Sequence, residues 1–287
     1  MTMPKIIECP RDAMQGISSF IPTEKKAKYL QLLLDVGFHT LDFGSFVSPR
    51  AVPQMKDTAQ VLAKLDLTKT NTKLLAIVAN ERGAKAALTY EEIDFLGFPF
   101  SISENFQMRN THKTIEESWK VISQIKALTD KHNKKLVVYL SMGFGNPYGD
   151  PWSVDIVARW IEILSTIDIK IISLSDTIGQ AVPSDIEFLF STLIPHFPQI
   201  EFGAHFHTYQ KKGLEKIEAA YDAGCLRFDG AILGYGGCPM ASDALIGNMP
   251  TEKLITFFAN QHIDTGLELT TFESCMNHSM DLFRLYQ

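Results

Sequence analysis

The chain has 287 residues, 45% of them hydrophobic, with a net charge of −6 and no block of lysine or arginine. That apolar share can fill one large core or two ordinary ones, and the acidic balance leaves no electrostatic footprint for nucleic acid or an anionic membrane. Cys9, Cys225, Cys238 and Cys275 lie far apart without a CxxC pair, which argues for reduced thiols rather than a zinc ribbon or a disulfide framework.

The amino-terminal MTMPKIIECP has neither signal-peptide nor transit-peptide character, and no apolar run approaches the ~18 residues of a membrane span, so a cytoplasmic protein is expected. KIIEC (5–9) then reads as a strand, TEKKAKYLQLLLDVG (23–37) as a helix and HTLDFGS (39–45) as a second strand. TKLLAIVAN (72–80) and IDFLGFPFS (93–101) are the third and fourth strands, with a short alanine-rich helix between them. Thr114 followed by Glu117 forms a capping box that opens a long amphipathic helix, and KLVVYLS (135–141) is the fifth strand.

After the loop MGFGNPYGDPW come the helix SVDIVARWIEILSTI, the sixth strand IKIISLSD (169–176), a helix from Pro183 to His196 and a seventh strand, IEFGAHFH. QKKGLEKIEAAYDAG is a helix and RFDGAIL the eighth strand, with loop and helices beyond. Eight strand-then-helix units imply parallel strands, because each return must cross over through a helix. The expected fold is a (β/α)8 TIM barrel with additional carboxyl-terminal helices, one domain over 1–287; a doubly wound sheet is second, since no GxGxxG follows an early strand.

A barrel places reactive residues where strands end. The first strand runs into Arg11 and Asp12, the second carries Asp42 and Ser45, and the fourth ends in Ser101, Ser103 and Glu104. Asp176 closes the sixth, His205 and His207 close the seventh, and the eighth enters the glycine-rich GYGGCPMASDALIGN (234–248). A single aspartate in such a place is ordinarily a helix cap. Six strand ends all supplying acid, base or amide groups are not explained by capping.

His205 and His207 stand at i and i+2 on a strand and therefore share a face, which supplies two metal ligands without backbone strain. Asp12 across the barrel would add an anionic oxygen, and two nitrogens among oxygens and water suit Mg2+ or Mn2+ at least as well as Zn2+. The glycine-rich loop reads as a flexible turn or a mobile lid, with Cys238 the accessible thiol and Cys9 a sheltered one.

In this order and on these strands, the motifs resemble the 3-hydroxy-3-methylglutaryl-CoA lyases of the metal-dependent TIM-barrel lyase superfamily, nearly end to end. PRDAMQ (10–15) is similar to that family's PRDGLQ, GSFVSPRAVPQM (44–55) to TSFVSPKWVPQM, and TIEES (114–118) to SIEES. SLSDTIG (173–179) is similar to SLGDTIG, AHFH to VHCH, and GGCPMA followed by GNMPTE (247–252) to GGCPYA followed by GNLATE.

The resemblance implies that Asp12, His205, His207 and Asn248 bind a divalent cation, that Arg11 stabilises an enolate oxygen, and that His205 and Cys238 take part in proton transfer. It also implies that Asp42 and Asp176 belong to the catalytic set and that Gln15, Ser45 and Ser173 meet substrate. The implied reaction cleaves a coenzyme A thioester, 3-hydroxy-3-methylglutaryl-CoA, to acetyl-CoA and acetoacetate; a homodimer and a place in leucine breakdown would follow from the family.

The residue types suit that reaction: a cation lowers the hydroxyl pKa and chelates the substrate, an arginine fork meets the enolate, and an acid protonates the carbanion. Four departures bear on the substrate. Asp42 stands where the family has glutamate, so its contact with Arg11 or substrate must be re-formed or bridged by water; Ala13 replaces a glycine, Thr208 replaces an acid, and the loop from Cys238 to Asn248 is one residue longer than expected. A related acyl-CoA or 2-oxo-acid lyase is therefore an alternative, and a non-catalytic binding barrel a remoter one.

Overall fold

A computed structural model describes residues 3–209, 213–237 and 246–286. Among these residues nine strands are formed: β1 Lys5–Glu8, β2 Thr40–Ser45, β3 Lys73–Ile77, β4 Ile93–Ser101, β5 Lys135–Ser141, β6 Ile171–Asp176, β7 Glu201–Thr208, β8 Arg227–Gly230 and the two-residue β9 Gly247–Asn248. The helices are α1 Pro10–Gln15, α2 Thr23–Val36, α3 Thr58–Leu62, α4 Glu81–Ala87, α5 Glu104–Thr111, α6 Ile115–Lys131, α7 Val154–Thr166, α8 Pro183–His196, α9 Leu214–Asp222, α10 Thr251–Asn260 and α11 Leu269–Tyr286. Strands β1 to β8 pair in parallel in chain order, and the pairings β1–β8 and β6–β7 close the barrel. The TIM barrel expected from the alternating pattern is therefore formed, with helices following β8.

The predicted helix over 210–224 begins at Leu214; residues 210–212 lie outside the described residues. Besides the five-residue α3, two helices went unread. The first, α1, sits immediately after β1, where Pro10 with its fixed φ at the first helical position starts a turn that the strand reading of KIIEC runs straight past. The second, α5, is too polar to show an apolar stripe and is started by the Ser103 hydroxyl, which accepts from the Phe106 amide. The expected capping box on α6 is present, with the Thr114 and Glu117 side chains exchanging backbone hydrogen bonds.

Two apolar layers result. A large one lies between strands and helices, and a small one, Leu75, Ile77, Phe95, Val137, Tyr139 and Ile171, fills the lower part of the barrel interior. Strand alternation does the sorting. In β7, Phe206 turns outward against Phe144 while His205 and His207 turn inward. Inside the mouth the interior positions become polar, and this is where the candidate site lies.

Candidate active site and metal centre

Helix α1 holds three functional side chains on one short turn. Arg11 gives its Nε to both Asp42 oxygens at 3.2 and 3.0 Å and its Nη2 to Asp42 Oδ2 at 2.5 Å. Its Nη1 serves Asp12 Oδ1 at 2.8 Å and Gln15 Oε1 at 2.9 Å, and Gln15 Nε2 donates to Asp12 Oδ1 at 2.6 Å. Asp42, although a methylene shorter than glutamate, thus reaches the guanidinium directly, with no bridging water. Of the five guanidinium hydrogens, this pattern leaves one on Nη2 for a further acceptor.

The electrostatics follow from burial beside opposite charge. Burial works against the charge on Arg11, yet the Asp42 and Asp12 carboxylates raise its pKa. Burial likewise opposes the Asp12 carboxylate, but Arg11 and the two histidines hold it below the usual carboxylate range. Asp42 goes the other way: burial pushes it up to about 6 despite Arg11, with Asp12 and Asp229 adding to the rise.

On β7, His205 Nδ1 lies 3.0 Å from Asp229 Oδ2, its register partner on β8, and the ring meets Tyr139 edge-on at 5.4 Å. With Nδ1 so engaged, Nε2 is left for a cation. Burial lowers the pKa of this ring, and the Asp229 bond and charge outweigh it, so the net direction is upward. His207 is 2% exposed and neither ring nitrogen has a hydrogen-bond partner among the described residues. Burial, with the charge of His205, brings it down to about 4, so at neutral pH it is an uncharged ligand.

One candidate ligand atom each from Asp12, His205 and His207 lie within 4.8 Å of one another, which could hold a metal ion. An orphaned, buried, neutral imidazole next to a carboxylate and a second imidazole fits a divalent cation. Asn248, register partner of His207 through β9, donates Nδ2 to the Tyr235 carbonyl at 2.8 Å, which leaves its Oδ1 free to accept. Cys9, His205 and Asp229 form a second close trio, but it shares His205, whose Nδ1 side it occupies, and burial with the neighbouring carboxylates pushes the Cys9 thiol well above its ordinary pKa. That trio backs the ring rather than competing for the ion.

These groups open on a cavity of about 230 Å3 that Arg11, Asp12, Gln15, Ser45, His205 and His207 all line. Four expected residues are not on its wall: Asp42, which binds Arg11, Asn248, which lines a neighbouring cavity, and Asp176 and Ser173. Asp176 turns outward, where Lys216 Nζ meets it at 2.6 Å and the Gln180 and Ala181 amides donate to it, so it braces the strand end rather than facing substrate. Ser173 is one strand repeat too deep, and Ser175, opposite His205 in register, takes the wall position instead. Cys238 lies outside the described residues. Sequence reasoning passed over Asp229 and Tyr139, although both have the odd-numbered inward parity that His205 shares and could have been found from it.

A parallel eight-stranded barrel with a carboxylate and two imidazoles converging at its carboxyl-terminal mouth defines a TIM-barrel protein with a candidate metal centre. The HMGL-like family model matches residues 4–278. The hydroxymethylglutaryl-CoA lyase YngG of Bacillus subtilis is 32% identical over 260 residues, covering 91% of this chain and 86% of that protein. An HMG-CoA lyase structure from Acinetobacter baumannii, in complex with coenzyme A and 3-methylmalate, superposes with a TM-score of 0.90 at 28% identity, covering 98% of this chain and 93% of the other. The (R)-citramalyl-CoA lyase of Chloroflexus aurantiacus is 28% identical, covering 91% of this chain and 84% of that protein. The chain belongs to the HMGL-like family, which bears out the resemblance read from its motifs and the carbon–carbon lyase class that goes with it. Among the described residues no helix is long and apolar enough to cross a membrane.

Proposed function

We propose that the protein is a divalent-cation-dependent lyase that cleaves 3-hydroxy-3-methylglutaryl-CoA to acetyl-CoA and acetoacetate. The observation that carries this reading is the meeting of Asp12, His205 and His207 in one cavity with the one uncommitted Nη2–H of Arg11. The C3 hydroxyl loses its proton, the C2–C3 electron pair moves to the thioester as an enolate, C3 becomes the ketone of acetoacetate, and C2 is then protonated. A Mg2+ or Mn2+ ion at the centre would supply Lewis acidity toward the C3 hydroxyl.

The protein's own groups do the rest. Asp12, His205, His207 and the Asn248 amide oxygen would hold the ion. Asp229 accepts from His205 Nδ1–H and so fixes the tautomer that presents Nε2. Arg11 offers its free hydrogen to the thioester oxygen, where charge develops, and Asp42 and Gln15 keep that fork from moving. Ser141, Ser175 and Thr177 form a hydroxyl-lined wall suited to the free carboxylate. Cys238 is the thiol we assign to protonation of C2. A larger cavity of about 560 Å3 beyond α1, walled by backbone at Gly16, Gly234, Gly236 and Gly247, suits the amide-bearing pantetheine arm.

The test is acetoacetate and acetyl-CoA release from HMG-CoA by protein stripped with chelator and reloaded with Mg2+ or Mn2+. Release restored by either ion is expected. No product with either ion overturns the assignment. Citramalyl-CoA belongs in the same assay, because a relative named for it shares this bond-breaking logic.

A further inference from the structure

The wall of the 230 Å3 cavity is divided by chemistry around the barrel. The arc from β7 to β1 carries the cation ligands and Arg11. The arc of β5 and β6 carries Tyr139, Ser141, Ser175 and Thr177. The remaining arc, from the end of β2 to α5, presents the apolar side chains of Val47, Ala51, Val52, Ile77, Ala79, Pro99 and Phe106, with the half-buried Asn110 and Thr111 of α5 beside them. Under it the apolar barrel interior continues through Leu75, Phe95 and Val137, with Val47 packed against that cluster.

The substrate carbon that loses its neighbour is tetrahedral, and its four substituents have distinct needs. The hydroxyl would go to the cation, the thioester arm to Arg11, and an ionised arm to hydroxyl donors. Only the fourth substituent is left for the apolar arc. Arg11 is the sole lysine or arginine among the residues lining this cavity, and four of its hydrogens are already committed to Asp12, Asp42 and Gln15. Among the described residues, no second cation therefore faces the apolar arc to receive another charged arm there.

One methyl group cannot cover seven apolar side chains drawn from three successive strand ends. We infer that this arc is the subsite for the C3 substituent and that it takes an alkyl arm longer than methyl, making 3-hydroxy-3-alkylglutaryl-CoA thioesters the preferred substrate class. The inference rests on the lyase reading and narrows it. Ala79, at the exit of β3, and Ala51 set the free length of the subsite, because their small side chains leave room that a larger neighbour would fill.

The experiment compares acetyl-CoA release from thioesters bearing methyl, ethyl or n-propyl at C3, using the cation-loaded full chain. With each added methylene transferred from water to an apolar wall, kcat/KM should rise by roughly fourfold per carbon, about tenfold or more from methyl to propyl. Ala79→Leu should remove or reverse that preference, and Val52→Phe gives an independent block of the same arc if the first variant does not fold by circular dichroism. Cleavage of the methyl compound with the propyl compound refused overturns the inference and leaves the lyase reading intact. Cleavage of none of the three overturns both. A propyl preference that survives both blocking variants also overturns the inference, since the arm would then lie elsewhere.

Discussion

Glu8 closes β1 with a side chain that is fully buried, its oxygens accepting from the Ile232 amide at 2.9 Å and the Thr251 hydroxyl at 2.5 Å. Burial pushes this carboxyl from an ordinary 4.5 up to about 8, the two hydrogen bonds only partly opposing it. Between those values the unfolded chain has released the proton and the folded chain has kept it, so folding takes up a proton and stability falls as the pH rises. At about 1.4 kcal/mol per pH unit the window from 4.5 to 8 is worth about 5 kcal/mol, and the part from pH 6 to 8 about 2–3 kcal/mol. Glu8→Gln keeps the shape and cannot ionise. Urea unfolding followed by circular dichroism at pH 6, 7 and 8 should therefore show a slope for the variant shallower by about 1 kcal/mol per pH unit, with the two proteins closest at pH 6. Because Ile232 leads into Tyr235, whose carbonyl holds the Asn248 amide, cation affinity should also gain less with rising pH in the parent than in the variant. Parallel stability curves for parent and Glu8→Gln would refute the reasoning, for they would mean that the carboxyl is already ionised at pH 6.

His207→Ala should weaken Mn2+ binding by about 100-fold or more in calorimetric titration while changing the stability of the metal-free protein by about 1 kcal/mol, because removing an unpartnered buried imidazole relieves desolvation as it opens a cavity. Unchanged binding would remove it from the ligand set. Arg11→Met should lower kcat by about 100-fold or more with a modest change in KM, since the enolate charge it meets exists only late in the reaction; a loss confined to KM would make it a ground-state contact. Alkylation of the native chain at neutral pH, mapped by mass spectrometry, should mark Cys238 alone and stop turnover, since Cys9, Cys225 and Cys275 are buried and burial pushes their thiols up, to about 12 for the last two. Inactivation that tracks another cysteine would take the thiol out of the proposed mechanism.

The parts of this molecule that could be read in advance are those where periodicity and burial agree. β4 and β5 are apolar on both faces because interior and outer layer both cover them, and their predicted and observed limits coincide. α8 begins at the Pro183 that announces it. α1 and α5 were invisible for the opposite reason: six and eight residues are too few for a helical stripe, and their polar faces line the site rather than a core. Within the site, the histidine pair declared itself by spacing. Asp229 did not, because in RFDG a lone acid reads as a turn residue until register sets it beside His205. Ser173 and Asp176 carry motif positions correctly placed on β6, yet depth along the strand and the outward parity of Asp176 take both off the wall, and neither is a property of the one-dimensional pattern.

Lys216 on α9 gives its ammonium to the Asp176 carboxylate, to the Gly179 carbonyl at 3.0 Å and to the carbonyl of His207 itself at 3.2 Å. On paper it is one more lysine on an amphipathic helix, the type of position that drifts freely among charged residues. In space it is a rivet through three separate segments, and the backbone it fixes carries a cation ligand. Neither glutamine nor arginine reproduces three compact donors at that point. Positions that govern this centre therefore extend past everything substrate could touch, and a survey ranked by distance from the cavity would pass over a side chain held as tightly as the ligands it supports.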